Sequence, residues 1–171
     1  TAIKKALISA DSRIDFAQYD KNTYGLISER ELAKFVISSG LEYSLGTNSK
    51  GIWAHQWDLE SAGVGMPVLD GVKISKYAVS GEQLKDNKLA AISTICHELG
   101  HVLGLPDLYN TTKSTTYFNV NRLSLMADSW AARKNTPAES LPQHLDPWSK
   151  IKLGFYSPIL ASSTKNYTLY K

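Results

Sequence analysis

At 171 residues and 43% hydrophobic composition, the chain suits one domain with a real core. Its 19 basic residues against 16 acidic ones leave a net charge of +3, dispersed without a basic run, which argues against nucleic acid as a partner. No apolar run approaches the ~18 residues of a membrane span, and a single cysteine, Cys96, excludes an internal disulfide.

Residues 1–10 carry Ile3, Ala6, Leu7 and Ala10 at helical spacing, predicting a short helix. Thr1 opens directly on that pattern, and residues 167–171 alternate like the start of a strand. The expectation is one domain over 1–171, excised from a longer precursor that carried any signal and pro-segment. Residues 20–31 fit a twelve-residue calcium loop, with Asp20 at position 1, Asn22 at 3, Gly25 at 6, Leu26 at 7, Ile27 at 8, Ser28 at 9 and Glu31 at 12. Tyr24 stands at position 5, where a side-chain oxygen is normally needed. The same residues therefore also suit a tight turn of calcium-loop shape without an ion.

Residues 32–40 read as a buried strand ended by Gly40, residues 44–51 as a polar loop, and residues 52–57 as a strand carrying two tryptophans. Val68-Leu69, the turn Asp70-Gly71 and residues 72–79 read as a hairpin, because Asp-Gly between alternating runs is a strong turn signal. From about Leu89 to Leu103 the period changes to 3.6, with Leu89, Ile92, Ile95 or Cys96, Leu99, Val102 and Leu103 marking a long, largely buried helix.

Within that helix His97 and His101 are spaced to lie on one face and to hold one Zn2+ between them. Glu98 is placed to act on a water at the metal. Gly104 lets the chain leave the helix and Pro106 forbids re-entry, so Asp107 is aimed back as a third ligand. Three ligands leave a fourth position open, as a catalytic zinc site requires. The bland alternative is a hydrogen-bonded core cluster without metal. Cys96, about 100° around the helix from His97, reads as an inert buried thiol, and His55 reads as a residue used for packing or a strand hydrogen bond. Residues 110–121 and 133–142 are loop, residues 123–127 a compact apolar turn, and residues 146–154 a short helix capped by Asp146, with Pro147 at its first position and Gly154 past its end.

The pattern HExxHxxGxxD, followed by Ser124-Leu125-Met126-Ala127, resembles a metzincin zinc peptidase with its Met-turn. With residues 97–109, 124–127 and 144–154, the chain is most similar to the immune-inhibitor-A-like secreted bacterial metallopeptidases. Residues 20–25 and 53–57 also resemble that family. The resemblance implies an α+β, metzincin-like zinc peptidase domain. Its mostly β N-terminal subdomain with a long active-site helix would span about 1–104, and a smaller irregular C-terminal subdomain with a Met-turn about 105–171. His97, His101 and Asp107 would bind zinc, Glu98 would be the general base, and Met126 would form an apolar floor without ligating. Some metzincins carry a Tyr two residues after that Met; here the position is Asp128, leaving Tyr109 and Tyr117 as the tyrosines to consider.

The implied function is a secreted, extracellular, zinc-dependent endopeptidase, monomeric, acting on protein or peptide substrates, with Ca2+ as a candidate second ion. A catalytically impaired peptidase-like binding module and a zinc hydrolase of small molecules are the alternatives. Retention of Glu98 favours the enzyme.

Overall fold

The computed structural model describes residues 2–43, 51–84, 89–110, 120, 123–127, 142–162, 164 and 166–168. Tyr117, Asp128, the expected loops at 44–50, 111–119 and 133–141, and the chain end at 169–171 lie outside the described residues. The elements are helix α1 (Ala2–Ala10), strands β1 (Leu26–Ile27), β2 (Phe35–Leu41), β3 (His55–Asp58), β4 (Val68–Leu69), β5 (Val72–Ile74) and β6 (Lys76–Gln83), then helices α2 (Ile92–Val102) and α3 (Pro147–Lys152). The architecture is α+β. One small sheet has the order β1-β5-β4 and a second the order β2-β6-β3.

α1 forms where predicted and buries Leu7 in a cluster with Phe16, Ile27, Leu59, Leu69, Val72, Ile74, Tyr77 and Val79, with Ile3 and Ala10 packed alongside. Asp15 caps a single 3-10 turn at Phe16–Tyr19, and the Phe16 amide donates to Asp70 Oδ2 at 2.7 Å. That bond ties the turn to the β4–β5 hairpin. Asp70 and Gly71 both take positive φ, 49° and 82°, the pairing that a two-residue hairpin turn of the predicted kind demands.

Three expectations are corrected. Residues 72–79 do not form one strand: the chain breaks at Ser75, whose carbonyl accepts from the Leu59 amide at 3.1 Å, and β6 joins the other sheet. There it is the central strand, parallel to β2 and antiparallel to β3. Its residues 77–81 are buried without alternation, as befits a strand covered on both faces.

Next, β2 is not a buried strand and does not end at Gly40. It runs to Leu41, pairs with β6 on one side, and leaves Ile37 62% exposed. A continuous apolar run cannot distinguish such a sheet edge from a core strand. Lys34, just before β2, is the buried residue, its ammonium donating to the Ile27 carbonyl at 3.3 Å.

Finally, α2 is shorter than 89–103, and of its apolar stripe only Val102 is fully buried. Leu89 lies outside it, bridged to Gln83, and Ile92 is 52% exposed. The buried residues are Ser93, Thr94, His97, Glu98, Gly100 and Val102. α2 packs on β6 and β3 through small and polar side chains, which brings its chemistry-bearing face into the interior. α3 matches expectation, with Asp146 accepting from the Ser149 amide at 3.0 Å, Pro147 in the first turn and Gly154 past the end.

Candidate metal centre

α2 places His97 and His101 one turn apart, and the exit from the helix brings the third group. Gly104 adopts φ 90°, a conformation that L side chains resist, and the Leu105 amide closes back on the Gly100 carbonyl at 3.0 Å. This reversal carries Asp107 to the imidazoles. His97 Nε2 lies 3.2 Å from Asp107 Oδ1, His101 Nε2 lies 3.1 Å from the same oxygen, and the two Nε2 atoms are 3.1 Å apart. Among the described residues this is the group of three His, Cys, Asp or Glu side chains whose ligand atoms converge.

The hydrogen bonds behind the imidazoles fix which atoms face the centre. His97 Nδ1 donates to the Leu125 carbonyl and His101 Nδ1 to the Leu105 carbonyl, both at 2.8 Å. In the neutral rings each Nε2 is then a bare lone pair. Three lone-pair atoms at mutual distances of 3.1–3.2 Å repel unless a cation sits among them. For zinc bonds of about 2.0–2.1 Å the edge of a coordination tetrahedron is about 3.3 Å. The donor set and its spacing both fit that ion.

A proton on either Nε2 also serves as such a cation, and the ionisation of the cluster reflects it. Burial would raise the Asp107 pKa, but hydrogen bonds from His101 and His97 outweigh it and hold the carboxyl far below its ordinary value. Burial would lower the His101 pKa, yet Asp107 and the Leu105 carbonyl reverse the sign and raise it.

Glu98 follows His97 in α2 and is only 7% exposed. Burial pushes its pKa up; the His97 and His101 imidazoles oppose that shift and Asp107 reinforces it. His55 of β3 is also close enough to favour the Glu98 carboxylate, while its own ring bonds the Trp53 carbonyl at 2.7 Å and meets the Tyr77 hydroxyl at 3.3 Å. The hydrogen bond fits the sequence expectation for His55, whereas its electrostatic reach to Glu98 was not legible there. Tyr109 stacks on His97 with ring centroids 6.1 Å apart, which brings it to the cluster.

Met126 is 0% exposed and lies against α2 at Gly100. A Cβ at Gly100 would collide with the Met126 sulfur, so the residue between the histidines must be glycine for this approach. The turn bearing Met126 is held by Leu125 N donating to the His144 carbonyl at 3.0 Å and by Leu108 N donating to the Met126 carbonyl at 2.7 Å. Ser124 Oγ donates to Asp146 Oδ2 at 2.7 Å and accepts from the Met126 amide at 3.1 Å. This polar link escaped the sequence reading, in which Asp146 was a helix cap and nothing more. Cys96 is half-buried, its thiol pKa raised by burial, and lines a cavity of about 700 Å³ with Leu125, His144 and Tyr156.

The 20–31 loop stands apart. Asp20 accepts from the Tyr24 and Gly25 amides at 3.2 and 2.9 Å, and Asn22 Oδ1 accepts from the Tyr24 amide at 2.9 Å. Glu31 accepts from Asn22 N, Ser28 N and Ser28 Oγ, which lowers its pKa. Leu26 leads into β1, which pairs with β5. The segment closes on itself through these hydrogen bonds, with the Tyr24 side chain exposed.

No curated protein matches the chain. The family model for the immune inhibitor A peptidase M6 catalytic domain does match, over residues 2–156. That interval takes in both sheets, the converging His97, His101 and Asp107, and all of α3, so the chain belongs to this family of metallopeptidases.

Proposed function

We propose that the chain is a secreted zinc-dependent endopeptidase in which His97, His101 and Asp107 hold the metal and Glu98 is the general base. The observation carrying this is the convergence of three lone-pair atoms at 3.1–3.2 Å with a buried carboxylate on the next residue. When bound, zinc supplies Lewis acidity that lets water ionise near pH 7 and polarises the scissile carbonyl. Glu98 accepts the proton from the attacking water and returns it to the leaving amine. Its raised proton affinity brings it closer to that double task than an exposed glutamate would be. The Leu125 and Leu105 carbonyls keep both imidazoles in the ligating tautomer throughout. Met126, packed on Gly100, serves as the apolar floor of a metzincin Met-turn.

The domain divides at Gly104 into an upper part, about 1–104, and a lower part from about 105 to 171. It acts on protein or peptide substrates, as a monomer, outside the cell. Among the described residues no helix is long and apolar enough to cross a membrane. Calcium at residues 20–31 is not part of this proposal.

The test is zinc analysis with digestion of a casein-type substrate, comparing the parent with Glu98→Gln. The parent should bind one zinc and digest. Glu98→Gln should keep the zinc and lose roughly 10²–10⁴-fold in kcat. A parent without zinc, or a variant digesting at the parental rate, refutes the assignment.

A further inference from the structure

We infer that Asp146 and Ser124 are positioning residues for the metal centre, transmitting the anchorage of α3 through one buried turn to the ring of His97. The inference rests on the zinc reading above.

A helix cap needs one acceptor, and Asp146 Oδ1 already supplies it to the Ser149 amide at 3.0 Å. The second oxygen does something a cap does not require. Oδ2 accepts from Ser149 Oγ at 2.6 Å and from Ser124 Oγ at 2.7 Å, lengths typical of hydroxyls bonded to an ionised carboxylate. Ser124 is 22 residues away in the chain, and Ser124, Ser149 and Asp146 are all buried.

With its proton committed to Asp146, the Ser124 oxygen accepts from the Met126 amide at 3.1 Å. The Leu125 amide is committed in turn to the His144 carbonyl, two residues before Asp146. The peptide carbonyl between those two held amides is that of Leu125, and it receives the His97 Nδ1 proton. Its direction therefore sets both the tautomer and the tilt of His97. The path runs from Asp146 to Ser124, to the turn, to the Leu125 carbonyl, to His97. Three hydrogen bonds of 3.1 Å or less make the path, joined by the rigid peptide unit between Leu125 and Met126.

Zinc affinity of the full chain by chelator competition, and the visible spectrum of its Co2+-loaded form, test the inference. Asp146→Asn keeps a cap acceptor for α3 but turns an amide toward the two hydroxyls, and Ser124→Ala removes the link outright. Both should weaken zinc by roughly tenfold, the lower end of the cost of losing a direct outer partner of a metal ligand, and shift the Co2+ bands. Ser149→Ala, which leaves the bond between Ser124 and Asp146 in place, should stay within about threefold of the parent with unchanged bands. Circular dichroism identifies which variants fold; should Ser124→Ala not fold, Asp146→Asn decides. Parental zinc affinity in a folded Asp146→Asn or Ser124→Ala overturns the inference. So does Ser149→Ala weakening zinc as much as they do. A parent that binds no zinc overturns instead the reading beneath it, and is seen before any variant is made.

Discussion

Gly100 is the residue whose identity the geometry explains most directly. Alanine there would gain about 1 kcal/mol in helix propensity, but it would drive a methyl into the Met126 sulfur, and overpacking costs about 1–3 kcal/mol. Packing should win, so Gly100→Ala is expected to lose about 1 kcal/mol in chemical denaturation of the metal-free domain. A variant more stable than the parent would show that Met126 yields. The convergence of His97, His101 and Asp107 was legible in the sequence because the group is local: one helical turn and the glycine exit build it. The roles of Gly100, Ser124 and Asp146 were not legible. Each depends on a partner from a distant segment, and a buried hydroxyl or a missing Cβ leaves no periodic trace.

At the scale of elements, α1, the β4–β5 turn and α3 were legible because propensity, turn chemistry and capping residues mark them locally. β6 was misjudged because its continuation from β5 looks like one alternating run, and the break at Ser75, where the carbonyl turns to the Leu59 amide, leaves no local mark. α2 was misread for the opposite reason. Its apolar stripe gave the period, but tertiary packing buried the small and polar face instead. Two substitutions separate the structure from the sequence expectation. Leu7→Ala should cost about 2–4 kcal/mol, since it opens the core cluster under α1. Ile37→Ala, in a strand first expected to be buried, should cost within about 0.5 kcal/mol of a surface change. Equal losses in urea denaturation would restore β2 to the core.

For the molecule as a whole, acid stability reports on Asp146. Burial would raise its pKa, but the hydrogen bonds from Ser149 and Ser124 dominate and lower it from 3.8. A carboxyl with a depressed folded pKa contributes stability that is fully present above its unfolded value and is lost as pH falls through the folded one. The parent should thus be more stable than Asp146→Asn at neutral pH, with the gap closing below about pH 4 in denaturation series at several pH values. A gap independent of pH would mean that the carboxylate charge is not what the two serines hold.

The triangle of His97, His101 and Asp107 has a consequence for metal selectivity. Its donor atoms already stand 3.1–3.2 Å apart, so an incoming ion has little ordering left to impose. Two imidazoles and a carboxylate do not sort first-row divalent ions sharply, and their affinity for such ions follows the Irving–Williams order. Copper would outcompete zinc there, and cobalt would be admitted as a close substitute. On the zinc reading proposed above, the ion held there would follow what is available where the chain folds as much as discrimination by the three donors.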